Sequence, residues 1–385
     1  MTFPTSRLGD VCQTFSGGTP SRTKADFFGG GVPWVKITDM LQGTVFTTDE
    51  SLSEAGIANS SAKVLPKGTV LISIFATIGR TAVLGIEAAT NQAIAGVVPK
   101  DTSKLDSDYL RYFLDSKHGE LNRAARGVAQ PNINQGILRG LEIPILPLPE
   151  QRRIVDILSR ADGIVRLRRE AEKKAAELIP AMFVDMFGDP ATNQKGWPAS
   201  LFGAVGILDR GRSRNRPRDA KELYGGPYPF IQTGDVANSG GRITGYTATY
   251  SEAGLAQSRL WKRGTLCITI AANIAKTGVL EFDTCFPDSV VGFLPGEQVR
   301  TDYVQAWLGF LQPTLEANAP QAAQKNINLE ILRNLPIPLP PLALQELFEQ
   351  RCSDVISIQS QQSAATAKAE ATFSALLAQT FSSGG

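Results

Sequence analysis

Five arginines alternate with other residues in the segment DRGRSRNRPRD, and this spacing carries the first chemical signal in the sequence. They are Arg210, Arg212, Arg214, Arg216 and Arg218. If the segment is extended, a period of two places all five guanidinium groups on one side. Such a row suits phosphate oxygens or the edges of guanine bases, which are electron-rich acceptors. A solvated basic loop is the alternative interpretation of the same pattern.

Further polar residues extend this candidate nucleic-acid surface. The segment SGGTPSRTK offers small hydroxyl donors and cations, namely Ser16, Thr19, Ser21, Arg22 and Lys24. Lys36 and Gln232 follow the similar runs PWV and PFI, where polar groups at a strand edge could read bases. Arg80 and Lys276 correspond in TIGRT and NIAKT. The remaining candidates are Asn91, Gln92, Arg126 and Lys325.

Residues for catalysis are scarce. His118 is the only histidine, so Ser–His or Cys–His chemistry would depend on it alone, and a solvated surface position is expected instead. The run FFGGG lacks a preceding apolar strand and the G-x-G-x-x-G spacing, so it is interpreted as a flexible turn. The sequence has no G-x-x-x-x-G-K-[ST] segment and no Asp/Asn-Pro-Pro-aromatic motif. We therefore expect a chain that is not an enzyme.

Composition indicates an ordinary globular protein of two or three domains. Of 385 residues, 42% are hydrophobic and 20% charged, and the formal net charge is +2. That balance excludes a uniformly basic nucleic-acid binder but leaves local basic patches open. The four cysteines form no C-x-x-C pair, so neither a zinc site nor a disulfide framework is predicted, and a reducing cytoplasm is expected. No signal peptide and no membrane span are expected, because no apolar run approaches about 18 residues.

The elements that position these residues occur twice. NINQGILRGLEIPILPLPEQRRIVDIL, from Asn132, returns as NINLEILRNLPIPLPPLALQELF from Asn326, 194 residues later. KGTVLISIFATIGRTAVL and RGTLCITIAANIAKTGVL match at an offset of 196, from Lys67 and Arg263. Such ordered matches predict a tandem duplication. Because they are identical in both copies, the asparagines of the two NIN segments are interpreted as turn or cap residues: Asn132, Asn134, Asn326 and Asn328.

Each copy is predicted to hold an α+β domain followed by a long helix. Apolar β-branched runs such as GTLCITIAA alternate with helical patterns such as SDYLRYFLDSKHGELNRAA. The proline-rich connectors PILPLP and PIPLPP lead into the helices. The predicted order is a first domain (1–147), a central long helix (148–188), a second domain (189–339) and a C-terminal long helix (340–385).

The two helices are predicted to pair as a coiled coil, since apolar residues recur at spacings of three and four in both. In the central helix these residues are Ile154, Ile157, Ala161, Ile164, Ala175, Leu178 and Met182. In the C-terminal helix they are Phe348, Val355, Ile358, Ala365, Ala369 and Leu376. The second helix must lead back, so the pair is antiparallel with an approximate two-fold axis. Roughly 36 residues of helix span about 54 Å, which makes the pair a ruler. The alternative is that each helix packs only on its own domain.

The whole chain resembles the specificity subunit of a type I restriction–modification enzyme. The similar stretches are SGGTPSR, PLPEQRRIVDIL, MFGDP and IPLPPLALQE, and the likeness covers about all 385 residues. The fold that this resemblance implies is α+β, with two tandemly duplicated target-recognition domains separated by two long antiparallel coiled-coil helices in pseudo-two-fold symmetry. One departure is DRGRSRNRPR, which stands where the first copy has FSGGTPSR and implies a different half-site.

The resemblance also implies partners and cofactors. Each recognition domain would read half of a bipartite double-stranded DNA site, and the helix pair would set the gap and dock two modification (methyltransferase) subunits. Restriction (translocase and nuclease) subunits would complete the complex. S-adenosylmethionine would belong to the methyltransferase, and ATP and Mg²⁺ to the restriction subunit, with no cofactor in this chain. The alternatives are an adaptor with twin peptide-binding domains and the specificity part of a related modification-dependent defence system.

Overall fold

A computed structural model describes residues 4–75, 77–125, 132–214, 217, 219–271, 273–317 and 327–381. The chain divides into two compact units. The first unit comprises Met1–Glu170 with Ser363–Gly385, and the second comprises Ala171–Gln362. Each unit therefore contains one α+β domain together with one part of each long helix.

The first domain contains ten strands and five α-helices among its described residues. The strands are β1 (Thr5–Arg7), β2 (Cys12–Ser16), β3 (Phe28–Val35), β4 (Thr44–Val45), β5 (Glu50–Leu52), β6 (Val70–Ser73), β7 (Thr81–Leu84), β8 (Ala89–Thr90), β9 (Ile94–Pro99) and β10 (Glu142–Pro144). The helices are α1 (Leu8–Val11), α2 (Glu54–Ala58), α3 (Ser107–Ser116), α4 (His118–Ala125) and α5 (Gln135–Gly140).

The central sheet of this domain has the order β2-β9-β6-β7-β4 and carries a core on each face. Successive side chains of a strand point to opposite faces. Val70 and Ile72 of β6 accordingly join the core under α3, while Leu71 joins a separate core with Val35 and Leu84. A second sheet, β5-β3-β8, and the pair β1-β10 complete the domain. The apolar run GTVLISIFA thus forms a central strand, as predicted.

The central long helix consists of α6 (Leu148–Ala176) and α7 (Leu178–Phe187). The sequence predicted one long helix over 148–188 that contains Gly163 and Pro180, and the structure divides it at Glu177. The cause of this division is Pro180, which has no N–H and whose ring crowds the carbonyl four residues earlier, at Ala176. Gly163 lies inside α6 without interrupting it.

The second domain repeats the first. Its strands are β11 (Ala199–Leu201), β12 (Gly206–Arg210), β13 (Tyr224–Phe230), β14 (Arg242–Ile243), β15 (Ala248–Tyr250), β16 (Leu266–Thr269), β17 (Thr277–Leu280), β18 (Val290–Pro295) and β19 (Pro336–Pro338). Its helices are α8 (Thr233–Ala237), α9 (Glu252–Ala256), α10 (Thr301–Ala317) and α11 (Leu329–Arg333). The sheet order β12-β18-β16-β17-β14 matches that of the first domain strand by strand, which confirms the duplication. The C-terminal long helix, α12, spans Leu342–Phe381.

Gln151 fixes the start of α6 against the first domain, and its side chain is fully buried. Its Oε1 accepts a hydrogen bond from Asp106 N at 2.9 Å. Its Nε2 donates to the carbonyls of Lys104 and Leu146, both at 2.7 Å. Three backbone groups are satisfied by one amide, so the rotation of α6 about its axis is set here.

Gln345 makes the equivalent bonds at the start of α12, in the second unit. Its Oε1 accepts from Arg300 N at 2.9 Å. Its Nε2 donates to Gln298 O at 3.1 Å and to Pro340 O at 2.9 Å. The repeated glutamine is therefore a joint between domain and helix, which is why it stands at the same place in both copies.

The long helices run antiparallel within each unit. In the first unit, Leu158 shares a core with Leu377, and Arg169 further along α6 forms an ion pair of 2.6 Å with Glu370. In the second unit, the Gln359 amide donates to the carbonyl of Ala175 at 2.7 Å. Residues later in the central helix thus contact residues earlier in α12, which confirms the predicted antiparallel pairing. The interpretation that each helix packs only on its own domain is therefore wrong.

Four predicted seam residues are exposed instead, namely Ile157, Ile164, Leu178 and Ile358. The buried positions lie one residue later, at Leu158 and Val165 in α6. Both follow Gln151 by multiples of seven, and seven residues are nearly two helical turns. Because the glutamine joint fixes which face of the helix is inward, the seam follows that register rather than the isoleucines.

The C-terminal end of each long helix packs on the α+β domain of the other copy. In the first unit, the ring of Phe381 lies 5.3 Å from that of Tyr109 and 5.8 Å from that of Phe113. In the second unit, Phe187 lies 4.9 Å from Tyr303. These aromatic pairs lie in the cores beneath α3 and α10, so the helix ends complete the cores of the domains.

Candidate nucleic-acid interface

The loops that follow β2 and β12 are anchored in the same way in the two domains. In the first, Gly17 N donates to Ile94 O at 3.1 Å. In the second, Gly211 N donates to Val290 O at 2.9 Å. The next residue differs between the two loops: it is Gly18 in the first domain and Arg212 in the second. A Cβ at Gly18 would lie 2.2 Å from the backbone N of Ala62, so glycine is required in the first domain. A common backbone anchor therefore carries two different loops.

Arg22 and Lys36 meet at one carboxylate in the first domain. Arg22 Nη1 lies 2.7 Å from Glu50 Oε2, and Lys36 Nζ lies 2.9 Å from Glu50 Oε1. Hydrogen bonds from Arg22 and Lys36 lower the pKa of Glu50, and the bond to Glu50 raises the pKa of Lys36. Lys36 Nζ also lies 4.0 Å from Asp49 Oδ2. We call Arg22, Lys36 and Glu50 the cation–carboxylate cluster.

Aromatic rings hold Arg22 in place. Its guanidinium carbon lies 4.5 Å from the centre of the Phe28 ring and 5.2 Å from that of Trp34. Trp34 is itself fixed by a hydrogen bond from its Nε1 to Gly18 O at 3.1 Å. Cation–π contacts of this kind reduce the freedom of a long side chain, so the guanidinium is presented in a defined position.

The other candidates of the first loop make different contacts. Thr19 donates to the Gln92 side chain, which links the loop to the turn after β8. Ser16 bonds Gln135 Nε2 at 3.0 Å. Ser21 bonds Thr23 at 2.8 Å and Lys24 lies over Phe27, so both are tied locally.

Asn91 has a structural part in its turn. Its Oδ1 accepts from Ala93 N at 3.1 Å, and its backbone N donates to Val35 O. Two asparagines of the NIN segments are cap residues, as predicted. Asn134 caps α5 by accepting from Ile137 N, and Asn328 caps α11 by accepting from Ile331 N. Asn326 lies outside the described residues.

Lys36 and Gln232 stand on the same scaffold in the two domains. Each precedes a helical turn, and each has its backbone N bound by an aspartate three residues later. Asp39 Oδ2 accepts from Lys36 N at 2.7 Å, and Asp235 Oδ2 accepts from Gln232 N at 2.8 Å. The backbone is thus the same, while the side chain changes from an ammonium to an amide.

Gln232 lines a polar cleft of about 620 Å³ in the second domain. Asn238, Arg242 and Thr247 share the wall of this cleft. Arg242 is held by an ion pair of 2.6 Å with Asp302. Amide, hydroxyl and guanidinium groups therefore converge on one concave surface beside the variable position.

The arginine row follows the predicted alternation as far as it is described. Arg212 and Arg214 are exposed and Arg210 is half-buried, whereas the intervening Gly211 and Ser213 are buried. The carbonyl of Arg212 accepts from Ser258 Oγ at 2.9 Å, which fixes the backbone of the row. Arg216 and Arg218 lie outside the described residues, as do Arg126 and Lys325.

Arg80 lies apart from the cation–carboxylate cluster. It lines a different cleft of about 620 Å³ in the first unit, which also includes Arg111, His118 and Arg166. Its counterpart Lys276 is exposed, and both residues donate their backbone N to a hydroxyl of the preceding strand, Ser73 or Thr269. The sequence correctly paired these two positions, but Arg80 does not join the other candidates of its domain.

Glu50 is the residue of this surface that sequence reasoning missed. It lies opposite Trp34 in the register of β5 and β3, sixteen positions away along the chain. The sequence shows that the acidic segment DES, which contains Glu50, follows the PWV strand. The contact of Glu50 with Arg22, however, depends on how the loops fold.

Groups that could support catalysis are poorly placed. His118 is exposed, as predicted. Burial raises the pKa of the Cys12 and Cys352 thiols to about 12, which opposes thiolate formation. Among the described residues, no group of three or more His, Cys, Asp or Glu side chains could hold a metal ion. No described helix is long and apolar enough to cross a membrane.

The family model of the type I restriction modification DNA specificity domain matches residues 2–177 and 206–366. The chain belongs to this family. The two matches correspond to its two α+β domains, each with part of the long helix that follows it. Both specificity domains carry the loop anchors and the glutamine joint described above.

Curated relatives are similar over part of their length. The MjaIX type I restriction enzyme specificity subunit of Methanocaldococcus jannaschii is 26% identical over 59% of this chain and 56% of the relative. The EcoR124I/EcoR124II specificity subunit of Escherichia coli is 28% identical over 44% of each. The chain thus spans about half the length of the curated relatives it matches.

A solved structure supports the fold over the whole chain. It comes from work on complex assembly and conformational transition of the type I R-M system. The TM-score is 0.61 at 22% identity, and the match covers 98% of this chain and 96% of that one. The duplicated α+β architecture with two long helices is therefore a fold shared with that solved structure.

Proposed function

We propose that this chain is a DNA-binding specificity subunit of a type I restriction–modification complex, in which each domain reads one half of a bipartite site. The observation that carries the proposal is the contrast between the two copies. Their buried scaffolds agree, while the polar side chains presented on those scaffolds differ. A protein that reads two different half-sites needs this combination.

The contrast is clearest beside the strands β3 and β13. The capping aspartates Asp39 and Asp235 are the same, but Lys36 is replaced by Gln232. Lysine suits guanine acceptors, whereas glutamine can bond the N6 and N7 edge of adenine. Different donors on one backbone geometry imply different bases in the two half-sites.

The arginine row supports contact with the DNA backbone. Arg212 and Arg214 are exposed on one side of an anchored segment. Cations placed in this way neutralise phosphates and release counterions, which supplies affinity without sequence preference. The small net charge of the whole chain is compatible with this, because the cations are local.

The chain acts without catalysis of its own in this proposal. Two modification subunits would methylate the site with S-adenosylmethionine, and restriction subunits would use ATP and Mg²⁺. Ile157, Ile164 and Leu167 leave an exposed apolar stripe on α6, which suits docking of a modification subunit. The helix pair would set the gap between the half-sites, and the complex would work in the cytoplasm.

Genome-wide mapping of methylated sites tests the proposal directly. Cells that carry the chain with its modification subunits should methylate one bipartite sequence, and cells with the modification subunits alone should not. The purified chain, given DNA with S-adenosylmethionine or with Mg²⁺ and ATP, should neither methylate nor cleave. Methylation without a bipartite site, or activity of the pure chain, would contradict the proposal.

A further inference from the structure

The cation–carboxylate cluster of the first domain offers donors and an acceptor side by side on an accessible surface. The exposed side-chain fractions of Arg22, Lys36 and Glu50 are 56%, 26% and 31%. Each Glu50 oxygen accepts one of the two bonds and keeps a second lone pair. Arg22 and Lys36 likewise have N–H groups beyond those that face Glu50. The cluster can therefore bind a further partner without being taken apart.

The pattern of the cluster complements one base pair. In the major groove, guanine presents the acceptors N7 and O6, and its cytosine presents the N4 amino donor. Arginine or lysine pairs with the guanine acceptors, and a carboxylate accepts from cytosine N4. A cation next to a carboxylate thus matches a G·C pair. An A·T pair matches less well. With adenine in the guanine position, thymine O4 and the thymine methyl group face the carboxylate, which needs a donor. In the reverse orientation the carboxylate can accept from adenine N6, but thymine offers the cation one acceptor, O4, where guanine offers two.

The second domain lacks this arrangement at the equivalent place. The register that sets Trp34 opposite Glu50 sets Phe230 opposite Ala248, so the carboxylate is absent there. Lys36 is replaced by Gln232 on the same cap. A pair needed for folding would be expected in both copies, and partly exposed ion pairs contribute little to stability. The difference therefore points to recognition rather than to the scaffold.

We infer that Arg22, Lys36 and Glu50 form a reading head for a G·C base pair in the half-site of the first domain. Arg22, held over Phe28 and Trp34, donates to guanine, and Glu50 accepts from the paired cytosine. Lys36 orients the Glu50 carboxylate by donating to Oε1, and it supplies a further donor to the neighbouring base step. The inference rests on the proposed function, since it names what one of the two domains reads.

Replacing Glu50 with glutamine tests the reading head. Glu50→Gln keeps the shape and removes the acceptor-only carboxylate. In cells with the full chain and its modification subunits, methylated sites should show one G·C position of one half-site relaxed by about tenfold or more. The other half-site should be unchanged. Gln232→Lys should alter that other half-site, which assigns each half-site to its domain.

Glu120→Gln is the matched control, because Glu120 forms a comparable exposed pair of 3.3 Å with Lys117 away from the cluster. It should leave both half-sites unchanged. If Glu50→Gln fails to fold, as judged by the thermal unfolding of the purified chain, Lys36→Gln decides. Lys36→Gln places the side chain found at Gln232 of the second domain on the equivalent scaffold of the first domain. It should therefore change bases only in the half-site of the first domain.

The possible failures are distinguishable. Absence of any bipartite methylated site with the unaltered chain would refute the proposed function itself. A bipartite site that keeps the same bases with Glu50→Gln and Lys36→Gln would overturn the reading head and leave the function standing. A site with no G·C pair in the half-site of the first domain would overturn it equally.

Discussion

The glutamine joint at the start of α6 makes a quantitative prediction about stability. Gln151→Met keeps the volume of the side chain but removes its hydrogen bonds, so packing is little disturbed. Three buried backbone groups then lose their partner, namely Asp106 N–H and the carbonyls of Lys104 and Leu146. At about 1 kcal/mol for each unsatisfied group, the free energy of unfolding should fall by about 3 kcal/mol.

Denaturant unfolding of the full chain, followed by circular dichroism, measures this loss. Gln345→Met should destabilise the second unit by a similar amount, because it makes the same three bonds. Gln361→Met is the control: its side chain is exposed and makes a long bond of 3.5 Å, so a change within about 0.5 kcal/mol is expected. A loss under about 1 kcal/mol for both joint variants would show that water or neighbouring groups satisfy the backbone, and the reasoning would be wrong.

Three further predictions concern DNA contact, the gap and pH. Arg212→Ala with Arg214→Ala should weaken DNA binding and reduce the slope of log affinity against log salt by about 2 if both meet phosphates; an unchanged slope and affinity would return the row to a solvated loop. Four residues added after Arg169 and four after Gln362, where the chain passes between the compact units, should widen the methylated gap by about two base pairs, since they add about 6 Å. The half-site bases should stay the same, and an unchanged gap would refute the ruler. Burial raises the pKa of Asp115 from 3.8 to about 6, so its contribution to stability is present in acid and is lost as pH rises through that window. Asp115→Asn should flatten this part of the stability profile in acid-to-neutral unfolding measurements, and an unaltered profile would contradict the assignment.

Much of the fold could be predicted because the sequence contains two copies of the same domain and helix. The apolar runs that became β6 and β16, the capping asparagines and the repeated glutamine all stand at corresponding places in the two copies. Their local signals, such as strand alternation and an amide before a helical turn, need no tertiary information. Duplication then confirms each signal with a second instance.

The seam and the candidate surface were harder to predict for physical reasons. Ile157 and Ile164 are as apolar as the buried Leu158 and Val165, so composition cannot choose between two faces one residue apart. The choice is made by the joint at Gln151. Likewise, Glu50 joins the surface only through the pairing of β5 with β3, which no local pattern predicts. Residue types suggested the chemistry, and long-range pairing selected the members.

The packing of Phe381 on Tyr109 and Phe113 has a consequence for how the protein is made. The first domain and its part of α6 have been synthesised by Glu170, yet their core lacks Leu377 and Phe381. The ribosome must add a further 211 residues, from 170 to 381, which takes about 10 to 40 s at about 5 to 20 residues per second. Throughout that interval the nascent domain presents an uncovered aromatic surface under α3. Chaperone capture during translation should therefore concentrate on the first copy, and loss of the last helical turn of α12 should cause the N-terminal half, rather than the neighbouring second domain, to aggregate.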